Sequence, residues 1–200
     1  MQAKTRLSAL LADIRACRLC QGELTHGVRP VLRMSRTARL CIAGQAPGMR
    51  VHNTGIPYND PSGERLRSWL GIGRDTFYDE SRVAIVPMGF CFPGYDDAGA
   101  DRPPRAECVR TWHDRLFMAA PKFSLVLAIG TYAQAYHLNG RTKKNVTETV
   151  RAWREYGPLV IPLPHPSWRN NGWLKKNPWF ESELIPHLRA RVADALSSGR

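Results

Sequence analysis

The sequence predicts an α/β fold: a single domain with a central, mostly parallel four-stranded sheet flanked by helices. Four short apolar runs are almost continuously hydrophobic, as in parallel strands that are buried on both faces. Helical patterns lie between these runs, which is the order of βαβ units. The 200 residues are enough for one hydrophobic core, and they contain no repeat or low-complexity tract. We therefore expect residues 1–200 to form one domain.

The predicted strands and helices alternate along the chain. The four strand-like runs are 40–43, 83–86, 125–129 and 159–163. Helical patterns cover approximately 63–71, 105–119, 131–138 and 145–155. The Gly/Asp/Pro-rich stretch 93–104 reads as an exposed loop.

One further helix is predicted at each end of the chain. At the N-terminus the i, i+3, i+4, i+7 spacing indicates an amphipathic helix that ends just before Cys17, and its apolar residues are Leu7, Leu10, Leu11 and Ile14. The last helix should begin at Asn177 as N-cap with Pro178 in its first turn. Pro186 should kink or interrupt that helix, because proline has no backbone N–H to donate.

The chain is strongly basic. It has 29 Lys and Arg against 17 Asp and Glu, a formal net charge of +12 and a pI near 10.0. Such a charge favours polyanionic partners through phosphate neutralisation and counterion release. On charge alone, a merely basic protein without such a partner remains the alternative.

Hydropathy argues against export and membrane insertion. No stretch approaches the roughly 20 apolar residues of a membrane span. The N-terminus is amphipathic and lacks the continuous apolar core of a signal peptide. We therefore expect a cytoplasmic protein.

Four of the five cysteines are spaced so that they could close on one metal site: Cys17, Cys20, Cys91 and Cys108. Without an export signal, cysteines are better explained as ligands than as disulfides. Four thiolates suit zinc as well as an iron–sulfur cluster, and a site without metal is the third possibility.

The segments that follow the predicted strands should meet at one edge of the sheet, where parallel α/β sheets bind ligands. The first of these segments is Gly44-Gln45-Ala46-Pro47-Gly48. Its glycines permit tight turns and its proline stiffens the loop, so backbone N–H groups and the Gln45 amide could face a planar heterocycle. The alternative is a strand-to-helix connection without a ligand.

The last of these segments begins with His165. Pro164 and Pro166 restrict the backbone on both sides and would aim the imidazole consistently. Aromatic, basic and amide side chains follow at once, and such a mixture can stack on bases while it holds phosphates. The alternative is a surface loop with a tryptophan anchored in the core. The residues concerned are Ser167, Trp168, Arg169 and Asn170.

A third candidate segment spans residues 55–63. Tyr58 offers a flat face for a base, and Asp60 offers a carboxylate that could orient or deprotonate water. The alternative is structural: Asp60 or Ser62 would cap the helix that carries Leu66.

Together these motifs resemble the uracil-DNA glycosylase superfamily, most closely its iron–sulfur family 4 and family 5 types. The resemblance runs from about Cys17 to the final helix. The loop at 44–48 is similar to the family's G-E-A-P-G or G-L-A-P-G, residues 54–58 to its T/G-G-R-P-F, and residues 165–167 to its H-P-S.

The resemblance implies a role for each motif. Base binding would fall to Gly44, Gln45, Ala46 and Tyr58. Catalysis would fall to Asp60 and His165. DNA contacts would come from Ser167, Trp168, Arg169 and Asn170. A [4Fe–4S] cluster, with zinc as the alternative, would be bound by Cys17, Cys20, Cys91 and Cys108, and Cys41 would be a buried bystander.

The sequence departs from the family pattern at four places. Pro87 stands where many relatives carry the Asn that reads uracil, and Ala46 stands where family 1 carries an acid. The run around Asp60 lacks one residue of the family 5 G-D-x-S-G motif, and the K-R-R-I-H insert of the covalent DNA-trapping relatives is missing after Cys91.

The implied activity is removal of a deaminated base, uracil above all, which starts base excision repair. A monomer acting on DNA with a damaged base in the bacterial nucleoid is expected. A non-catalytic iron–sulfur DNA-binding module of the same fold is the alternative.

Overall fold

A computed structural model describes residues 2–197, with side chains from Arg6 onward. Its strands are β1 (Leu40–Ala43), β2 (Val83–Ile85), β3 (Leu125–Ile129) and β4 (Val160–Leu163). Its α-helices are α1 (Gln2–Ala16), α2 (Met49–Thr54), α3 (Pro61–Leu70), α4 (Arg74–Tyr78), α5 (Ala106–Cys108), α6 (Asp114–Ala119), α7 (Gly130–His137), α8 (Val146–Arg151), α9 (Asn171–Lys176) and α10 (Ile185–Ser197).

The four strands form one parallel sheet in the order β2-β1-β3-β4. Leu40 pairs with Val83 on one side and with Leu125 on the other. Every strand residue is buried, as the continuous apolar runs predict. The predicted fold class, a mostly parallel four-stranded sheet flanked by helices, is therefore confirmed.

Helices cover both faces of the sheet. Along β1, Cys41 and Ala43 face a core layer that includes α1, α6 and α7, while Leu40 and Ile42 face a layer formed mainly by α3 and α10. Cys41 is fully buried, and burial raises the pKa of its thiol. It lies in the core between the sheet and its helices, so the predicted burial of Cys41 is confirmed.

The helix predictions hold, with differences at the ends. The pattern at 63–71 begins earlier, at Pro61, and the one at 105–119 contains a π-helical turn at Val109–His113 between α5 and α6. The pattern at 145–155 breaks into α8 and a 3₁₀ turn at Trp153–Glu155. The helices missed by the sequence analysis, α2, α4 and α9, have five or six residues, too few for a hydrophobic period to emerge.

The C-terminal helix is interrupted as predicted. The Asn177 carbonyl accepts the Phe180 N–H at 3.0 Å and starts the turn. A π-helical segment at Phe180–Leu184 follows, and α10 begins one residue before Pro186. Within residues 2–197, no helix is long and apolar enough to cross a membrane.

Candidate active site

The carboxyl ends of the strands carry a cleft built from three of the candidate segments. It contains the loop after β1, Pro87 after β2, His165 after β4, and the turn that precedes α3. The cleft holds about 110 Å³, comparable to the roughly 150 Å³ that takes up one benzene ring in an engineered cavity. That size suits one flat ring. The polar or aromatic side chains in its wall are Gln45, Tyr58, Asp60, Ser62, Asp101 and His165.

The segment after β3 does not join the cleft. Thr131 and Tyr132 are exposed on α7 and are absent from the cleft wall. The cleft is therefore formed by residues that follow β1, β2 and β4, together with the turn before α3.

The loop at 44–48 is fixed by its own backbone. The Gly44 carbonyl accepts the Met88 N–H at 2.9 Å, and the Gln45 carbonyl accepts the Gly89 N–H at 2.8 Å. The Gln45 side chain donates from Nε2 to the Arg102 carbonyl at 3.3 Å. Part of the Gln45 amide, which was expected to face a ligand, thus holds the loop that carries Arg102.

Tyr58 is held with its ring close to Gly44. A Cβ on Gly44 would lie 2.7 Å from the Tyr58 hydroxyl oxygen, so this approach requires glycine. Tyr58 has a φ of 54°, in the left-handed region, and its carbonyl accepts the Tyr78 hydroxyl at 3.1 Å. Burial, and secondarily Asp60, raise the pKa of the Tyr58 phenol. The ring is therefore a neutral, fixed wall of the cleft.

Asp60 lines the cleft and also caps α3. Its Oδ1 accepts the Gly63 N–H at 2.9 Å, in the N-cap geometry that the structural alternative predicted. The two functions are compatible, because the capping bond engages only one of the carboxylate oxygens.

The capping bond makes a prediction about stability. Asp60→Ala should lower the free energy of unfolding by about 1 kcal/mol, whereas Asp60→Asn should lower it by much less, because Asn is an equally good N-cap. Urea unfolding of both variants beside the wild type checks this. Equal losses in the two variants would show that the cap contributes little.

His165 leaves β4 and turns its imidazole toward the cleft. Asn170 donates from Nδ2 to the His165 carbonyl at 2.7 Å and closes the loop. The cleft walls partly desolvate the ring, which lowers the pKa of His165, while Asp60 and Asp101 act in the opposite direction. The net shift is downward, so the imidazole is neutral at neutral pH and can donate from one ring nitrogen.

The segment after His165 is a compact exposed turn. The Ser167 hydroxyl accepts the Arg169 N–H at 3.2 Å, and Arg65 donates to the Ser167 carbonyl at 2.9 Å. Trp168 is 66% exposed and lies beneath the Arg169 guanidinium, 5.9 Å from its ring centroid. Trp168 is therefore not a tryptophan anchored in the core. Trp173 fits that alternative better, since it packs against the core and donates to Thr147.

Pro87 lies in the cleft wall, where it can give a nucleobase only an apolar contact surface. It has no side-chain donor or acceptor. Its carbonyl lies 3.2 Å from Nε2 of the buried His113, whose Nδ1 is 3.1 Å from the Cys108 carbonyl. Position 87 therefore has no free side-chain group with which to read a base edge.

Asp101 is the cleft residue that the sequence analysis missed. Its loop is shaped by Asp96, whose Oδ1 accepts the N–H groups of Ala98 and Ala100 at 3.0 and 2.8 Å. Tyr95 pairs with Asp101 across the loop. The sequence could have indicated Asp101 through the position of its loop, which follows β2 at the same edge of the sheet as the other candidate residues.

The four candidate metal ligands surround one small cavity. Cys17 and Cys20 follow α1, Cys91 follows β2, and Cys108 lies in α5. The rest of the wall is largely apolar, with Arg105 as its charged member. The structure thus brings together four thiols that are separated by up to 91 positions in the chain (108 − 17).

Burial disfavours ionisation of two of these thiols in particular, Cys91 and Cys108. Burial raises the pKa of Cys91 to about 12 and that of Cys108 to about 11, and the neighbouring thiols add to both shifts. In the part of the chain that the structure describes, no three His, Cys, Asp or Glu side chains have the geometry to hold one metal ion.

The family model of the Uracil DNA glycosylase superfamily matches residues 33–189, which is more than half of the chain. The matched range contains the whole cleft except Val31. It also contains Cys91 and Cys108, but begins after Cys17 and Cys20.

Proposed function

This chain belongs to the uracil DNA glycosylase superfamily, whose members are DNA glycosylases, and we propose that it excises a deaminated base from DNA. The base, most often uracil, would be flipped from the helix and its N-glycosidic bond hydrolysed, which starts base excision repair. One observation carries this proposal: Tyr58, His165 and the loop at 44–48 meet with carboxylates in a cleft sized for one ring.

Base flipping suits the size of the cleft. An enzyme that acts on a base inside duplex DNA must extrude the nucleotide, at a cost of a few kcal/mol that is lower for mismatched or single-stranded bases. The fixed ring of Tyr58 supplies a stacking surface, and the turn at 44–48 brings backbone groups to the edge of the base. The energy of these contacts offsets the unstacking.

The reaction separates charge between two places. The sugar becomes oxocarbenium-like while the departing base gains negative charge, so the site must stabilise both. His165, a neutral donor at the cleft wall, would donate a hydrogen bond to a base carbonyl as that charge develops. Asp60 would lower the energy of the cationic sugar and help to position the attacking water.

The surface beside the cleft suits a DNA strand. Trp168 projects from it and could occupy the space that a flipped base vacates. Arg169 lies on this turn, and Arg65 reaches it from α3 by donating to the Ser167 carbonyl, so both guanidinium groups can neutralise phosphates. The net charge of +12 has the sign that such an interface requires.

The four cysteines favour a [4Fe–4S] cluster as the group bound in their cavity. A cluster takes one thiolate on each of its irons, so its sulfurs lie farther apart than the ligands of one zinc ion, which sit about 2.3 Å from the metal. The four thiols line one cavity, as the ligands of such a cluster must. The cluster would tie α1 to the segment between Cys91 and Cys108.

Metal analysis tests this assignment. The protein purified without oxygen should contain about four irons per chain and absorb visible light broadly. Cys108→Ser should lose both signals, whereas Cys41→Ala should keep them, because Cys41 lies in the core away from the cavity. Zinc without iron, or no metal at all, would overturn the assignment.

Base release tests the proposed function. Labelled oligonucleotides with uracil, hypoxanthine or xanthine, single- and double-stranded, would be incubated with the protein, and abasic sites would be revealed by alkaline cleavage. We expect release of at least one base. Tight, salt-sensitive binding without release from any substrate would instead support a non-catalytic DNA-binding module, which Pro87 favours because it provides no base-reading side chain.

A further inference from the structure

We propose that Asp101 is the general base of the reaction: its carboxylate accepts the proton of the water that attacks the sugar, while Asp60 acts mainly through its charge. This inference rests on the proposed glycosylase function and divides the work of the two cleft carboxylates.

Asp60 is partly occupied by its structural task. Its Oδ1 holds the Gly63 N–H, the first turn of α3 depends on that bond, and the same turn fixes Tyr58. Taking up a proton would weaken an acceptor that the helix needs. Its negative charge can still favour a cationic sugar without any proton transfer.

The Asp101 side chain has no comparable structural role. Within residues 6–197 its side chain makes no hydrogen bond or ion pair at contact distance, whereas the loop around it is held by Asp96 and by the backbone of Gly94 and Arg102. Its Oδ2 lies 3.8 Å from where a Cβ on Gly48 would stand, so it faces the end of the loop at 44–48. Both carboxylate oxygens are therefore available to water in the cleft.

The surroundings of Asp101 suit a proton acceptor. Its outer side meets solvent, yet the cleft walls partly desolvate the carboxylate and raise its pKa, while Arg169 and His165 act in the opposite direction. A raised pKa makes a carboxylate a stronger base, provided that it is ionised at the working pH.

In the proposed step, water replaces the base on the sugar. The water oxygen forms a bond to C1′ of the sugar, and one water proton passes to Asp101. The C1′–N bond breaks, and its electron pair leaves with the base. His165 stabilises the departing base by hydrogen bonding, and solvent supplies the proton that the released base finally takes.

Single-turnover kinetics as a function of pH test the assignment. The wild-type rate should rise as pH increases through the pKa of Asp101, because only the ionised carboxylate accepts a proton. Asp101→Asn should slow release by about 100-fold or more and lose that rise. Asp101→Asn leaves the other charged or titratable groups around the cleft in place, namely Asp60, His165 and Arg169. Asp60→Asn should release base more slowly than the wild type but should keep the rise with pH.

Two controls make the result specific. Asp97→Asn removes the same charge from the exposed tip of the same loop and should match the wild type in rate and pH profile. Added formate should restore part of the rate to Asp101→Ala and none to Asp60→Ala, and melting curves and DNA binding should show each variant folded.

The outcomes separate the two proposals. If Asp101→Asn keeps the wild-type rate and profile while His165→Ala is inactive, Asp101 is not the base and the glycosylase assignment stands. If Asp60→Asn loses the rise and formate rescues Asp60→Ala, the base is Asp60. A wild-type protein that releases no base overturns both proposals.

Discussion

His165→Ala is expected to slow base release by about 10²–10³-fold, the loss that follows removal of one oxyanion-type donor. The imidazole lines the cleft with Tyr58 and the loop at 44–48, so it is placed to donate as negative charge develops on the base. Single-turnover release from a uracil oligonucleotide measures the effect.

The same variant should bind DNA almost as the wild type does. The surface turn that carries Trp168 and Arg169 is held by two other bonds and not by the His165 ring. The Asn170 side chain donates to the His165 carbonyl, and the Ser167 hydroxyl accepts the Arg169 N–H. His165→Gln, which keeps an N–H donor, should lose less activity than His165→Ala. Wild-type rates in both variants would remove His165 from the mechanism.

Gly63→Ala should strongly reduce both stability and activity. A Cβ at this position would lie 1.8 Å from the Tyr58 carbonyl oxygen, which is backbone and cannot swing aside. The turn before α3 must then move, and Tyr58 and the Asp60 cap move with it. Because overpacking typically costs about 1–3 kcal/mol and occasionally more, we expect at least this loss in the free energy of unfolding.

Gly73→Ala is the matched control, because a Cβ there meets nothing within 4 Å and φ is −75°. It should change urea unfolding and base release only slightly. If Gly63→Ala unfolds like the wild type and releases base at the wild-type rate, the close packing of Tyr58 is not needed for the site.

The parallel sheet could be predicted because its strands are apolar on both faces, which leaves little ambiguity in runs such as 125–129. The meeting of the loops at 44–48 and 165–167 followed from that sheet, since parallel strands end at one edge. The four cysteines were expected to meet because of their number and spacing, and the fold brings them together around one cavity.

Other features depended on contacts that have no period in the sequence. Asp101 reaches the cleft because Asp96 binds the backbone of its own loop, and the Gln45 amide is engaged by the Arg102 carbonyl. Neither bond could be foreseen without the fold. For Asp60 the sequence offered a cap or a cleft residue as alternatives, and the structure shows one carboxylate in both positions.

Glycosylase activity would be shown most directly by the appearance of free uracil when the wild-type protein, in excess, is mixed with a uracil-containing oligonucleotide. Mass spectrometry of the mixture would quantify the base and the abasic DNA together. If the protein is a glycosylase, the two form in equal amounts, up to one per oligonucleotide, and neither forms with His165→Ala on the same timescale. DNA that is bound but stays intact, with no base released from uracil, hypoxanthine or xanthine, would contradict the glycosylase assignment.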